Sequence, residues 1–318
     1  KQYFGFVRGH DYFSEQEMMD VKEVLYSINN ESVHKDIIHE YENKFSQKIG
    51  SGQCVAFAAG RMAFFSVLKS FGIGIGDEVI LPGFTCSVMV NAVWKTGATP
   101  IFADISSKTY GSDVQEIKKV ITKNTRAIVA QHSFGIPCEI DKISDFCIKN
   151  KLFLIEDCAI SFDSKYENIN VGEWGDAAIF STDHSKPLNT FIGGLAYSKN
   201  DKIIRSLRAI QNNSSNLQLD HQMRIWKKIL FERKYYNPKW YAFGLLVTFI
   251  SDTTKFISNK FGIANKMIYL EADYNKQSPD ISEYRYPSKL PAFLARLGLL
   301  ELKNWEIEKS NRKKLLSG

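Results

Sequence analysis

The sequence has few of the residues and runs that mark membrane-spanning or non-globular chains. Only 20 of 318 residues are Gly and 8 are Pro, and no stretch approaches the roughly 20 apolar residues that a spanning helix needs. Apolar residues make up 44%, which suffices for a core and excludes collagen-like, low-complexity and disordered classes. The net charge of +6 is small and spread along the chain, so it favours neither a nucleic acid nor a membrane as partner.

Several sequence motifs are missing as well. The five cysteines form no CxxC pair, and no HExxH occurs, so we predict no metal site. At least one of five cysteines cannot pair internally, which favours a reducing, cytoplasmic setting. The opening KQYFGFVRGH lacks the apolar core of a secretory signal, and a start at Lys1 suggests a chain trimmed at its front.

The chain divides into four parts by pattern. The longest alternates short apolar runs with helical periodicity, which predicts an α/β domain whose mostly parallel sheet is covered by helices on both faces. Ser14 is the expected cap of a helix near the start. The predicted parts are an N-terminal helical segment (1–50), the large domain (51–200), a helical insertion (201–290) and the start of a small C-terminal domain, largely absent from the chain (291–318).

One stretch of the insertion, residues 240–250 (WYAFGLLVTFI), is almost continuously apolar and follows several lysines. Two interpretations apply. A helix with aromatics and flanking lysines could lie in a membrane interface, as a peripheral contact. A helix of this length could equally pack on the sheet or against a second subunit, and we favour this second interpretation.

Polar residues follow three predicted strands at the edge where ligands collect. Asp157 ends FLIEDC, Ser181 ends DAAIFS, and Lys186 comes five residues after Ser181. Gly60 joins a strand to a helix without a GxGxxG or Walker pattern, and the free amides of that turn could hold a phosphate. Each residue taken alone is ordinary, as a cap, a strand-end serine, a solvated lysine or a turn glycine.

Together these residues specify one cofactor. Pyridoxal 5′-phosphate needs a lysine to form a Schiff base, a carboxylate to keep its pyridine nitrogen protonated, and an anion site. Lys186, Asp157 and the Gly60 turn supply these groups in that order.

The segments AAGRMAFF, FLIEDCA and FSTDHSKPLNTFIGGLAY, in this order, resemble the DegT/DnrJ/StrS family of fold-type I sugar aminotransferases. The resemblance implies an enzyme that moves an amino group, usually from glutamate, onto a nucleotide-linked keto sugar. It also implies a homodimer and no nucleic-acid partner. Surface polysaccharide or a secondary metabolite is the expected product.

Matched position by position, the resemblance assigns roles to individual residues. Lys186 corresponds to the Schiff-base lysine, which also moves a proton, and Asp157 to the partner of the pyridine nitrogen. Gly60, Arg61 and Met62 correspond to the turn whose backbone binds the phosphate. The hydroxyl beside the phosphate corresponds to Ser181.

Some positions depart from the family pattern. An aromatic that stacks on the cofactor ring is common where this chain has Cys86, so stacking is expected from Phe84 or His132 instead. His132 could equally be a structural histidine. A glutamine that bonds the cofactor's phenolic oxygen is replaced by Ile160. An asparagine that reaches the partner subunit's phosphate has no clean match, with Tyr284 or Arg285 as possible substitutes.

Two alternatives to aminotransfer remain. Dehydratases of this family carry histidine at the lysine position. Here His184 lies two residues earlier and Lys186 keeps its register before Pro187, so transamination is favoured. Cys86 and Ile160 also leave open a catalytically degenerate member with a regulatory or scaffold role.

Overall fold

The structure is a computed structural model that describes residues 9–27, 30–237, 239–240, 242–244, 246–247, 249–250, 253 and 286–317. Tyr284 and Arg285, expected near the partner's phosphate, lie outside the described residues.

Helices and strands alternate through the middle of the chain, as the sequence predicts. The helices are α1 (Glu15–Tyr26), α2 (Glu31–Ile49), α3 (Gly60–Ser70), α4 (Ser87–Thr96), α5 (Val114–Val120), α6 (Ile140–Asn150), α7 (Asp201–Asn213), α8 (Leu219–Tyr235) and α9 (Ala292–Ser317). The strands are β1 (Gln53–Phe57), β2 (Glu78–Pro82), β3 (Thr99–Ala103), β4 (Thr125–Gln131), β5 (Phe153–Asp157), β6 (Lys165–Tyr166), β7 (Ile169–Asn170), β8 (Ala177–Ser181) and β9 (Gly194–Ser198).

The central sheet has seven strands in the order β1-β9-β8-β5-β4-β2-β3. The neighbours from β8 to β3 all pair in parallel, and β9 runs antiparallel to both β8 and β1. The inner strands are almost wholly buried, as expected for a sheet covered on both faces. The predicted mostly parallel sheet is therefore confirmed.

Two apolar clusters lie on opposite faces of this sheet. The larger one joins α1, α2, α3 and α9, and it contains Tyr41, Phe45, Phe64 and Phe293. The smaller one packs α5 and α6 through Val114, Ile117, Ile140 and Ile143. Because β2, β4, β5 and β8 are parallel, their carboxyl ends meet at one edge of the sheet.

The helix start predicted near Ser14 is confirmed. The Ser14 side chain accepts a hydrogen bond from the amide of Glu17, and the Glu17 carboxylate accepts one from the amide of Ser14. This capping box satisfies two amides that would otherwise lack partners at the start of α1.

Residues 240–250, where described, do not pack on the sheet. Their large apolar side chains are exposed, so the sheet-packed interpretation is wrong for these positions, and contact with a second subunit stays a prediction. Within the part of the chain that the structure describes, no helix has both the length and the apolar character to cross a bilayer.

Candidate cofactor site

A cavity of about 240 Å³ opens at the carboxyl edge of the sheet. Four pieces of backbone form its wall: the start of α3, the start of α4, the turn after β5 and the loop after β8. This is the edge at which α/β proteins bind their ligands, because successive loops project there from neighbouring strands.

One end of the cavity is suited to an anion. Gly60 and Arg61 begin α3 and line the wall beside Ser181. A Cβ on Gly60 would approach the Ser181 Cβ to 3.0 Å and its Oγ to 3.3 Å, so glycine lets the helix start lie against the strand end. The partial positive charge of a helix N-terminus attracts an anion to such a position.

The carboxylate of Asp157 lies in the same wall, at the end of β5. Its backbone pairs with Gln131 on β4 and Ile179 on β8, and its Oδ1 accepts a hydrogen bond from the Ala159 amide at 3.0 Å. Burial raises the pKa of Asp157, while that amide and the charge of Lys186 act in the opposite direction. A buried, fixed carboxylate of this kind can hold a proton on a ligand nitrogen.

Lys186 reaches the cavity from the loop between β8 and β9. The loop is closed at its base, where the Thr182 and Thr190 hydroxyls lie 2.6 Å apart and the Thr190 amide donates to the Thr182 carbonyl. The Lys186 amide donates to the Asp183 carbonyl at 2.9 Å. The amine and the carboxylate predicted to serve one cofactor therefore line the same cavity.

The remaining predicted residues lie elsewhere. Met62 is fully buried, and its sulfur accepts a hydrogen bond from the Ser288 amide. Phe84 is half exposed, with its ring 6.0 Å from that of Phe134. His132 is fully buried and bonds to Glu156. None of these three side chains is in the cavity wall, because each is held by other contacts.

A group with the composition of a metal site lies beside the cavity. His132, Glu156 and Cys158 bring one potential ligand atom each within 4.8 Å. Three backbone amides, from Gly172, Trp174 and Gly175, donate to the Glu156 carboxylate. These hydrogen bonds occupy the lone pairs of the Glu156 carboxylate. The three residues therefore form a hydrogen-bonded structural cluster rather than a cation site.

The model of the DegT/DnrJ/EryC1/StrS aminotransferase family matches residues 12–239, which include every residue of the cavity wall. The chain belongs to this family.

Curated relatives of this DegT/DnrJ/EryC1/StrS member carry names from amino sugar and polysaccharide synthesis. GDP-perosamine synthase of Escherichia coli O157:H7 is 34% identical over 77% of the chain and 66% of its own length. The spore coat polysaccharide biosynthesis protein SpsC of Bacillus subtilis is 34% identical over 54% of the chain and 44% of its own length. The chain thus spans about half to two thirds of the length of these relatives.

Solved structures show the same fold. An aminotransferase from Psychrobacter cryohalolentis aligns over 92% of the chain and 62% of its own length, with a TM-score of 0.64 and 21% identity. Helicobacter pylori PseC aligns over 96% and 67%, with a TM-score of 0.65 and 17% identity. The predicted fold class, fold-type I, is confirmed by these likenesses and by the sheet order.

The cavity wall also contains two polar residues, Asp183 and His184, that the sequence analysis did not predict as site residues. His184 Nδ1 lies 2.8 Å from Asp183 Oδ1, and this contact raises the pKa of His184. Burial alone would raise the pKa of Asp183, but the His184 imidazole holds it below its ordinary value. Adjacency to Lys186 in the sequence was the available signal, since residues 183–186 all line the cavity.

The position at which the family commonly has a stacking aromatic, Cys86, belongs to the cavity wall. Cys86 itself lines the cavity at the start of α4, together with Val88 and Met89. Ile160 is absent from the wall, and Ala159 takes its place. Apolar contact with a ligand at this side therefore comes from small and flexible side chains.

Proposed function

We propose that this chain is the pyridoxal phosphate-binding part of an aminotransferase that moves an amino group onto a nucleotide-linked keto sugar. The observation that carries the proposal is one cavity lined by Lys186, Asp157 and the Gly60–Ser181 anion cradle. The names of relatives support the substrate class, since they include GDP-perosamine synthase and a dTDP-amino sugar transaminase. Glutamate as the donor, a homodimer and a cytoplasmic location belong to the same proposal.

The residues present fit the cofactor. Glycine at position 60 lets the start of α3 lie against Ser181, which puts the free amides of the helix start and the Ser181 hydroxyl in one cavity wall where they would meet a phosphate. Asp157 is buried and keeps one carboxylate oxygen, Oδ1, engaged with a backbone amide. Lys186 is the lysine of the wall.

Each of these residues has a separate task in amino transfer. Gly60, Arg61 and Ser181 would hold the phosphate, and Asp157 would keep a proton on the pyridine nitrogen. Lys186 would supply the amine that condenses with the cofactor's aldehyde group with loss of water, and as a free amine it would be the acid and base that moves a proton at the substrate carbon. Pyridoxal phosphate, when bound, supplies the conjugated electron sink for this proton transfer.

Borohydride reduction followed by peptide mapping tests the cofactor assignment. Wild type loaded with pyridoxal phosphate should carry one reduced label per chain, at Lys186. Lys186→Ala should carry none, whereas Lys165→Ala, in the exposed β6 strand, should be labelled like wild type. A label at another lysine would overturn the assignment.

Product analysis tests the reaction. With ¹⁵N-glutamate and a panel of nucleotide-linked keto sugars, wild type should yield a ¹⁵N-amino sugar. Loss of water from the sugar without nitrogen uptake would instead indicate a dehydratase. Correct labelling at Lys186 with no conversion of any sugar would indicate a degenerate family member.

A further inference from the structure

An exposed row of apolar side chains lies directly after the family-matched part of the chain, which ends at residue 239. The row, here called the apolar stripe, consists of side chains that are 47–71% exposed: Trp240, Phe243, Leu246, Phe249 and Ile250. Large apolar side chains gathered in this way mark an interaction surface.

After the turn at Trp240, the residues of this stretch that the structure describes (242–244, 246–247 and 249–250) are helical. Asn237 Oδ1 accepts hydrogen bonds from the amides of Lys239 and Trp240 at 3.1 and 3.3 Å, and the Gly244 amide donates to the Trp240 carbonyl at 2.8 Å. At 100° per residue, the five stripe positions fall within about half of the helix circumference. The apolar side chains therefore project together.

The segment contacts the end of α8 through Gly244 and Phe243. Gly244 is buried, and a Cβ there would lie 2.8 Å from the Tyr235 Cβ. The Phe243 ring lies 5.5 Å from the Tyr235 ring and 6.4 Å from the Trp240 ring. Gly244 is thus held against the end of α8, while the five side chains of the stripe stay 47–71% exposed.

The charge near the stripe is basic in excess. Residues 220–252 contain six Lys and Arg against three acidic residues, Asp220, Glu232 and Asp252; Asp220 pairs with Arg224, Glu15 pairs with Arg233, and Glu232 is buried. Lys227, Lys234 and Lys239 are exposed. This surface therefore complements an anionic partner and repels a cationic one.

The chemistry of the stripe indicates what that partner is. An α-helix rises about 16 Å over eleven residues, roughly half of a bilayer's hydrocarbon thickness, so an apolar run of the length of 240–250 suits the interface and is too short to cross the bilayer. Tryptophan and flanking lysines suit the headgroup level, where apolar and anionic groups meet. A symmetric contact with a second copy would instead bring two surfaces of the same basic excess together.

We propose that the apolar stripe, with Lys227, Lys234 and Lys239 beside it, docks the protein on the surface of an anionic lipid bilayer. The stripe enters the boundary between headgroups and acyl chains, and the three ammonium groups contact lipid phosphates. This inference does not depend on the proposed enzymatic function, because the stripe lies outside the cavity wall.

Vesicle flotation of the full chain tests the proposal. Wild type should float with vesicles of phosphatidylcholine and phosphatidylglycerol, bind at least tenfold less to phosphatidylcholine alone, and detach as salt is raised. The variant Trp240→Ser/Phe243→Ser/Phe249→Ser should lose flotation by tenfold or more. Its matched control, Ile75→Ser/Ile148→Ser/Ile307→Ser, changes three exposed apolar residues elsewhere and should float like wild type.

The charge is tested separately. Lys227→Gln/Lys234→Gln/Lys239→Gln should weaken binding to the anionic vesicles, whereas Lys108→Gln/Lys123→Gln/Lys149→Gln, at other exposed lysines, should not. Quenching by brominated lipids should decrease in Trp240→Phe although flotation persists. Circular dichroism establishes that every variant is folded.

Three results would overturn the proposal. The first is wild type that stays unbound on anionic vesicles. The second is equal loss of flotation in the stripe variant and in its control. The third is a stripe variant that becomes monomeric yet floats like wild type, since the stripe would then be a contact between two copies.

Discussion

The imidazole of His132 and the carboxylate of Glu156 lie 3.1 Å apart, and both side chains are completely enclosed by protein. The Cys138 amide donates to His132 Nδ1 at 3.2 Å, so the ring proton of the neutral imidazole lies on Nε2 and points to Glu156. Both residues are directly connected to Asp157 of the cavity wall. Asp157 follows Glu156 in the sequence, and the His132 amide donates a hydrogen bond to the Asp157 carbonyl. The pair therefore holds the carboxyl end of β5 in place.

Replacing Glu156 by Gln should destabilise the protein. The two carboxylate oxygens accept four hydrogen bonds, from His132 and from the amides of Gly172, Trp174 and Gly175. A glutamine would turn one acceptor into an NH₂ group that faces donors, which should lower the free energy of unfolding by about 3 kcal/mol. Urea denaturation measures this loss. Glu167→Gln, at an exposed position, is the control, and equal midpoints for the two variants would contradict the prediction.

Asp157→Asn should keep the binding of pyridoxal phosphate but lose amino transfer. An asparagine preserves the shape at the end of β5 and can still accept from the Ala159 amide, but it cannot hold a proton on a pyridine nitrogen. We expect the variant to bind pyridoxal phosphate and to lose amino transfer by on the order of 100-fold or more. Fluorescence titration gives the affinity and steady-state kinetics the rate.

The control for this prediction is Asp145→Asn on the exposed side of α6, which should leave both quantities unchanged. Near wild-type turnover in Asp157→Asn would show that the carboxylate has another task.

Cys86 should be the fast-reacting thiol of the protein. It is exposed and lines the cavity, whereas the other four cysteines are buried, and burial raises the pKa of Cys147 and Cys158 to about 12. Since the thiolate is the reactive form, Ellman's reagent should titrate one thiol rapidly. Cys86→Ser should abolish that fast phase.

Bound pyridoxal phosphate should slow the reaction of Cys86, because the reagent must enter the cavity that the cofactor fills. Unchanged kinetics in the loaded protein would place the cofactor away from the start of α4.

Much of the fold could be predicted from the sequence, because it rests on local patterns. Short apolar runs such as FLIED indicated buried strands, and Ser14 indicated a helix start. The grouping of Asp157, Ser181 and Lys186 followed from the same pattern, since parallel strands bring their carboxyl ends to one edge. Their roles in catalysis stay predictions.

Other features depended on contacts that the sequence does not display. His132 follows a strand as Asp157 does, but its ring is turned beneath the sheet edge by Glu156 and the Cys138 amide. Phe84 lies in the expected loop, yet the Gln131 side chain holds its carbonyl at 2.8 Å while its ring faces Phe134. The orientation of such side chains is set by their tertiary contacts rather than by their position along a strand.

Glu301 should make stability fall as the pH rises. It is buried on α9 beside the Tyr12 hydroxyl and 3.6 Å from His10, and burial raises its pKa from 4.5 to about 7. Between these values the folded protein keeps a proton that the unfolded chain has lost. The contribution of Glu301 to the free energy of unfolding is therefore complete below pH 4.5. It declines by about 3 kcal/mol as the pH rises through the folded-state pKa of about 7.

Glu301→Gln should remove this dependence, since an amide is neutral at every pH and can still accept from Tyr12. Burial lowers the pKa of His10 to about 4, which acts in the opposite direction below pH 6.5, but His10 is present in both proteins. The difference in unfolding free energy between variant and wild type, measured by urea denaturation at pH 5.5 and 8, should therefore shift in favour of the variant at the higher pH. The exposed Glu40→Gln should show no such shift, and parallel pH profiles for Glu301→Gln and wild type would mean that the buried carboxyl is already ionised in the folded protein at low pH.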